Sequence, residues 1–282
     1  MRKEFLVGIV IPLIFGSAQF SSIQAQPPPG YTLVFDDEFD GPLDVAPGSG
    51  WGDGNTRYKW YCHTPYCGDF GDAYFSGPED GNGPNGQPMS PFSVNNGVLS
   101  ITAWIDPTIN HWRSGLLSSM DWSGNQGFAQ ALGYFEVRMK LPDGVGLWPS
   151  FWLDGVAQLQ NRNVQNPEID VLEEYGNGPT WAYQTIHVWN PDGSTAYWAM
   201  GWGQVSGMTT DYHTYAVLVN PDYLHFYIDD AEVWTTPTPP QMTQPLYVMV
   251  DLALGHGQPE DSTPNPSQLL VDYIRVYAPP GQ

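Results

Sequence analysis

The chain has 282 residues, with 31 Gly, 27 Pro, 41% hydrophobic residues, and charged and aromatic residues at 14% each. This composition excludes a disordered acidic tail, which lacks aromatics, and a coiled coil or helical bundle, which avoids Gly and Pro. Nine Lys+Arg against 30 Asp+Glu, a net charge of −21, leave too few cations to displace counterions from nucleic acid or to hold an anionic membrane surface. The same field repels anionic ligands and favours a neutral partner.

At the start, Arg2 and Lys3 precede an apolar run from Phe5 to Phe15, followed by small residues. The pattern predicts a signal peptide over 1–25, with Ala18 or Ala25 as the cleavage point; the run is too short to span a bilayer. Its removal deletes two cations and one acid and leaves 7 − 29 = −22. The mature protein is expected to be secreted, extracellular or periplasmic, a monomer free of the membrane. Residues 26–30 read as a short Pro-rich spacer, and 31–282 as a single domain.

Residues 41–91 are dense in Gly, Pro, Asn and Asp around Trp51, Trp60 and Tyr61, the composition of a long decorated loop region. The two cysteines, Cys62 and Cys67, fall within it. Outside the cytoplasm they are expected to form a small loop disulfide. A metal site with His63 is the weaker reading of two thiols and one imidazole.

Strand patterns follow. Gly133–Leu141 alternates, with Phe135, Val137, Met139 and Leu141 on one face. Tyr212–Val219 and Tyr223–Asp229 are joined through Asn220-Pro221-Asp222, a hairpin-type connection. Pro245–Leu254 and Leu269–Tyr277 add two more strands. With turn-rich joints and no sustained helical period, the chain predicts an all-β, antiparallel two-sheet β-sandwich or jelly roll.

The chemistry lies in Pro167-Glu168-Ile169-Asp170-Val171-Leu172-Glu173-Glu174-Tyr175-Gly176. On a strand, Glu168 and Asp170 share a face while Ile169 and Val171 point to the core. Strict alternation would then bury Glu173 and expose Leu172. One extra residue, a β-bulge around Val171–Leu172, resolves both conflicts and turns Glu173 onto the acidic face. Three carboxylates on one face suit retaining glycoside hydrolysis, in which one carboxylate attacks the anomeric carbon and another protonates the leaving oxygen. Such pairs stand about 5–5.5 Å apart, closer than the roughly 13 Å between the Cα atoms of a regular strand. Side-chain lean and a concave sheet must close the gap. Three like charges cannot all ionise cheaply, so one retains a proton and supplies the acid. Upstream, Trp148, Ser150 and Trp152 share a strand face. Downstream, His187 and Trp189 share another, with Ile186 and Val188 turned inward. Flat aromatic faces beside acids and an imidazole predict a sugar cleft.

At this level of detail the chain resembles glycoside hydrolase family 16, which includes laminarinases, lichenases, β-agarases and κ-carrageenases. The resemblance rests on Glu168-Ile169-Asp170-Val171-Leu172-Glu173 as the bulged E-x-D-x-x-E motif. It also rests on Asp36-Asp37-Glu38-Phe39-Asp40-Gly41, Gly133-Tyr134-Phe135-Glu136-Val137-Arg138 and Gly146-Leu147-Trp148-Pro149-Ser150-Phe151-Trp152. Tyr212-His213-Thr214-Tyr215-Ala216-Val217 and Val271-Asp272-Tyr273-Ile274-Arg275-Val276-Tyr277 complete it. It implies a concanavalin-like jelly roll with a concave substrate cleft and an endo-acting, double-displacement hydrolase of neutral polysaccharide. The glycan expected first is β-1,3- or mixed-linkage β-1,3/1,4-glucan. A neutral galactan hydrolase, a transglycosylase and a non-catalytic carbohydrate-binding β-sandwich are the alternatives. By motif position Glu168 is the nucleophile, Asp170 its assisting acid and Glu173 the acid/base. Trp148, Trp152 and His187, joined by Arg113, bind sugar. No cofactor is needed for the chemistry; the resemblance implies a structural calcium near Glu38 and Asp272. The chain departs from the family pattern at Pro167, at Asp251, at the added acid Glu174 and throughout the 41–91 region.

Overall fold

The computed structural model describes residues 27–66, 68–258 and 260–281. The signal sequence expected over 1–25, and Cys67, lie outside the described residues. Seventeen strands are described. In chain order they are β1 (Thr32–Asp37), β2 (Tyr74–Phe75), β3 (Phe92–Asn95), β4 (Val98–Asp106), β5 (His111–Ser114), β6 (Leu116–Ser118), β7 (Gln130–Ala131), β8 (Gly133–Lys140) and β9 (Leu147–Gly155). After the short α-helix α1 (Val156–Gln160) come β10 (Asn166–Glu173), β11 (Trp181–Trp189), β12 (Thr195–Gln204), β13 (His213–Val219), β14 (Tyr223–Ile228), β15 (Ala231–Pro237), a 3-10 helix (Pro240–Thr243), β16 (Pro245–Leu254) and β17 (Ser267–Ala278). No helix among the described residues is long and apolar enough to cross a membrane.

The strands form two sheets. One has the order β15-β14-β13-β8-β17-β4-β5-β2, with β1 added to β17 and β3 to β4. The other runs β12-β11-β10-β9-β16-β6, with β7 added to β16. Alternation explains the sandwich between them. Phe135, Val137, Met139 and Leu141 are buried, as are Ile169, Ile186, Val188, Val248 and Val250 from the facing sheet. Interdigitation of such side chains supplies the main driving force, at roughly 1.5–3 kcal/mol per fully buried large apolar side chain.

A second apolar cluster packs on the outward face of the smaller sheet. Tyr247, Met249 and Ala253 of β16 meet Trp152, Phe75, Leu116 and Met120, with Tyr66 and Phe70 at its margin. The 41–91 region therefore covers one half of that face. It is largely irregular, as its composition predicts, yet it is pinned by buried Trp60, whose indole N–H donates to Asp37 at 2.7 Å, and by the Tyr61–Ser118 bridge. The face over β9, β10 and β11 stays open.

Of the two cysteines expected to pair, Cys67 lies outside the described residues. Cys62 is a free thiol at full burial, and burial pushes its pKa upward. Both ring nitrogens of His63 are engaged by protein groups. It stacks on Trp51 at 4.1 Å, with Nδ1 on Asp69 at 2.9 Å and Nε2 on the Ser49 carbonyl at 2.8 Å.

Candidate active site

β10 lies between β9 and β11, and its register slips within the acidic motif. Against β9, Asp170 faces Trp152 while Leu172 faces Phe151; against β11, Asp170 faces Thr185 while Glu173 faces Tyr183. One extra residue is accommodated at Val171–Leu172, where the sequence places the bulge. Ile169, Val171 and Leu172 are all buried in the core. Glu168, Asp170 and Glu173 are thereby delivered to one face, at the floor of a cleft of about 350 Å³. Trp148, Ser150, Trp152, Asp154, Asn166 and Trp189 line it, with Thr64, Tyr66 and Phe70 from the loop region forming a wall.

Each acid has distinct surroundings. Glu173 accepts from the Trp148 indole N–H and the Tyr175 hydroxyl at 3.1 Å each, and from Thr185 Oγ1 at 3.3 Å. Glu168 accepts from the Trp189 indole N–H at 3.1 Å. His187 stacks on Trp189 at 4.7 Å, and its Nε2 stands 3.9 Å from Glu168 and 3.7 Å from Asp170, too far for hydrogen bonds. Burial lowers the His187 pKa to about 4, so the ring is neutral at ordinary pH.

Among the described residues no Arg or Lys lines the cleft, so the carboxylates meet one another without a balancing cation. Burial, reinforced by Asp154, pushes Glu168 up to about 8. Burial and the charges of Glu173, Glu168, Asp154 and Asp251 hold Asp170 well above the carboxylate range. Glu173 is raised by burial, against the hydrogen bonds from Tyr175 and Trp148. The cluster therefore retains protons at neutral pH. Asp170 is the natural proton carrier, because it is the least exposed of the three, whereas Glu168 and Glu173 each have N–H or O–H donors that favour their charged forms.

Other expected residues lie elsewhere. Arg113 sits on β5, its Nε donating to buried Asp106 at 2.6 Å and its Nη1 to Ser76 at 2.9 Å; it does not line the cleft. Glu38 receives both Nε and Nη2 of Arg275, at 2.7 and 2.8 Å, and Asp272 pairs with Arg138. These carboxylates serve guanidinium partners, so as a calcium-binding pair they do not fit.

Sequence reasoning overlooked Asp154 and passed over Asp251 as a mere departure. Asp154 continues the alternation Trp148, Ser150, Trp152 by one step on β9, a signal that was present. On β16, Asp251 faces Ser150 of β9 and accepts from the Trp152 indole N–H at 2.8 Å and the Ala253 N–H at 3.0 Å. Tyr66 and Phe70 reach the cleft only through tertiary folding of the loop; Phe70 packs edge-on against Trp148 and Trp152.

Comparison with known proteins agrees with this geometry. The model of a family described as Glycosyl hydrolases family 16 matches residues 98–275. The endo-1,3-1,4-beta-glycanase ExsH of Rhizobium meliloti is 36% identical over 67% of this chain and 40% of its own length. EglC of the same organism is 33% identical over 80% of this chain and 44% of its own. The chain thus spans less than half of these two relatives. A beta-glucanase of Rhodothermus marinus is 26% identical over 98% of this chain and 94% of its own. Among solved structures, the endo-1,3-beta-glucanase (laminarinase) catalytic domain of Thermotoga petrophila superposes with a TM-score of 0.66 at 20% identity, covering 88% of this chain and 98% of that one.

Proposed function

Because the chain belongs to glycosyl hydrolases family 16, we propose that it is an endo-acting retaining hydrolase of β-1,3- or mixed-linkage β-1,3/1,4-glucan. The observation that carries the reading is the bulge at Val171–Leu172, which brings Glu168, Asp170 and Glu173 to one cleft floor. The names of ExsH and EglC support the β-1,3-1,4 linkage, and that of the Rhodothermus marinus enzyme supports the glucan. A cleft lined by carboxylates and free of Arg and Lys favours a neutral glycan over a sulfated one.

The chemistry follows from the surroundings of each acid. Glu173, held by Trp148 and Tyr175, protonates the glycosidic oxygen as the bond to the anomeric carbon breaks. Glu168, steadied by the Trp189 N–H, attacks that carbon and forms a glycosyl ester. Asp170 keeps a proton, so that negative charge concentrates on Glu168 rather than spreading over both acids. Glu173, now ionised, removes a proton from water, which hydrolyses the ester with net retention. Trp148, Trp152 and Trp189 offer the flat faces on which sugar rings lie. The apolar run Phe5 to Phe15 supports action outside the cytoplasm.

The test is reducing-sugar release from both glucans, with the product anomer followed by NMR. The β-anomer should form first, and Glu168→Gln should lose at least about 10⁴-fold in kcat. Absence of release from either glucan, or full turnover by Glu168→Gln, would overturn the reading.

A further inference from the structure

At the Glu168 end of the cleft, β9 places Asp154 opposite Glu168 on β10 and opposite Tyr247 on β16. Asp154 is 2% exposed. Its Oδ2 accepts from the Tyr247 hydroxyl at 3.0 Å, and its Oδ1 accepts from the side-chain amide N–H of Asn166. With its amide nitrogen donating to Asp154, Asn166 turns its oxygen away. That oxygen, Oδ1, is buried and has no hydrogen-bond partner. Asn166 itself is 2% exposed and lines the cleft, two positions before Glu168 and roughly 7 Å from it along the strand. That spacing is on the scale of one sugar ring with its substituents. Two more buried hydroxyls lining the same cleft, Thr64 Oγ1 and Ser150 Oγ, are also unpartnered.

A buried acceptor left unpaired destabilises the fold unless a ligand satisfies it. Resting on the glucanase reading above, we infer that Asn166 Oδ1 accepts a hydrogen bond from a hydroxyl of the sugar unit seated against Glu168. Asp154 and Tyr247 are positioning residues that fix the amide, so the site demands a donor at that point of the ring. Asn166 thereby selects among neutral glycans by the presence and orientation of one hydroxyl. A sugar without that hydroxyl leaves Oδ1 unpaired, and binding no longer offsets its burial.

Fluorine matches a hydroxyl in size but donates nothing, which makes it the discriminating probe. The substrates are an aryl β-laminaritrioside and analogues in which the 4- or 6-hydroxyl of the unit bearing the aryl group is replaced by fluorine or hydrogen. Wild type should lose about 10- to 100-fold in kcat/KM on both replacements at one position. Asn166→Ala should be slower on the parent by that factor and lose nothing further on that analogue. Asp154→Asn, which leaves the amide unoriented, should lose part of the discrimination. A merely structural Asn166 would slow every substrate alike and leave the discrimination intact, which overturns the inference. Should Asn166→Ala fail to fold by circular dichroism, the wild-type series decides alone: analogues all within about threefold of the parent overturn it. Turnover of the parent without discrimination refutes this inference only, whereas no turnover of parent or glucan refutes the glucanase reading as well.

Discussion

Glu174 follows the catalytic motif but turns away from the cleft, and it offers a sharp test of burial as the source of the raised acidities. Its side chain is fully buried and neither carboxyl oxygen has a hydrogen-bond partner. Burial, with a smaller contribution from Asp143, raises its pKa from 4.5 to about 8. The folded state thus binds a proton between pH 4.5 and 8 that the unfolded state has released. Stability from this group is complete below pH 4.5 and is lost as pH rises through about 8. At about 1.4 kcal/mol per pH unit, the loss is on the order of 5 kcal/mol. For a domain of this size that corresponds to a fall in Tm of roughly 10–20 °C. Glu174→Gln keeps the shape and cannot ionise. The other buried acids titrate in both proteins, so their contribution cancels in the comparison. Thermal unfolding from pH 5 to 9 should show two curves close together at pH 5, with the variant more stable by a margin that widens up to about pH 8 and then levels off. Parallel curves throughout would mean that Glu174 ionises in the fold at no cost, and the burial argument for the cleft acids would weaken with it.

Glu173→Ala should reduce glucan hydrolysis by roughly 10²–10⁴-fold while sparing the first step on aryl glycosides whose leaving group needs no proton; pre-steady-state release of the aryl alcohol checks this. Trp189→Phe removes the indole donor to Glu168, which favours the charged form. The acidic limb of the kcat/KM profile should therefore move to higher pH, by roughly half to one unit. Deleting Val171 removes the extra residue of the bulge, and regular alternation then keeps Glu173 on the face of Glu168 and Asp170 while Leu172 stays in the core. Measurable hydrolysis of glucan should therefore survive the deletion, and its complete loss in a folded protein would show that parity alone does not aim Glu173.

The parts of the fold written in periodicity were legible. β16 spans Pro245–Leu254 as its residues predict, and β8 ends within one residue of its expected limit. The bulge was legible for a different reason: residues 172 and 173 have the wrong parity for a regular strand, and polarity leaves one repair. Partners brought together from distant segments were not legible. Nothing local in Phe70 says that it packs against Trp148 and Trp152, and nothing local in Arg113 says that Asp106 will claim it. Glu38 and Asp272 show the same limit from the other side, because a surface acid near a strand end gives no sign of the arginine that will occupy it.

The smaller sheet carries an unusual density of buried acid on one face, and the absence of a cation there follows from the task. An arginine placed among Glu168, Asp170 and Glu173 would ionise all three, and no carboxyl would remain to protonate a leaving oxygen. Neutral donors instead give graded support. Trp189 serves Glu168, and Trp148, Tyr175 and Thr185 serve Glu173. Indole and hydroxyl donors favour charge without imposing it, so a proton can pass on and off Glu173 within one catalytic cycle. The same aromatic side chains also present the faces against which a sugar ring rests. The cost of holding these acids together falls on the stability of the fold. The tightly packed core between the sheets, together with the loop cluster that seals β16, offsets it.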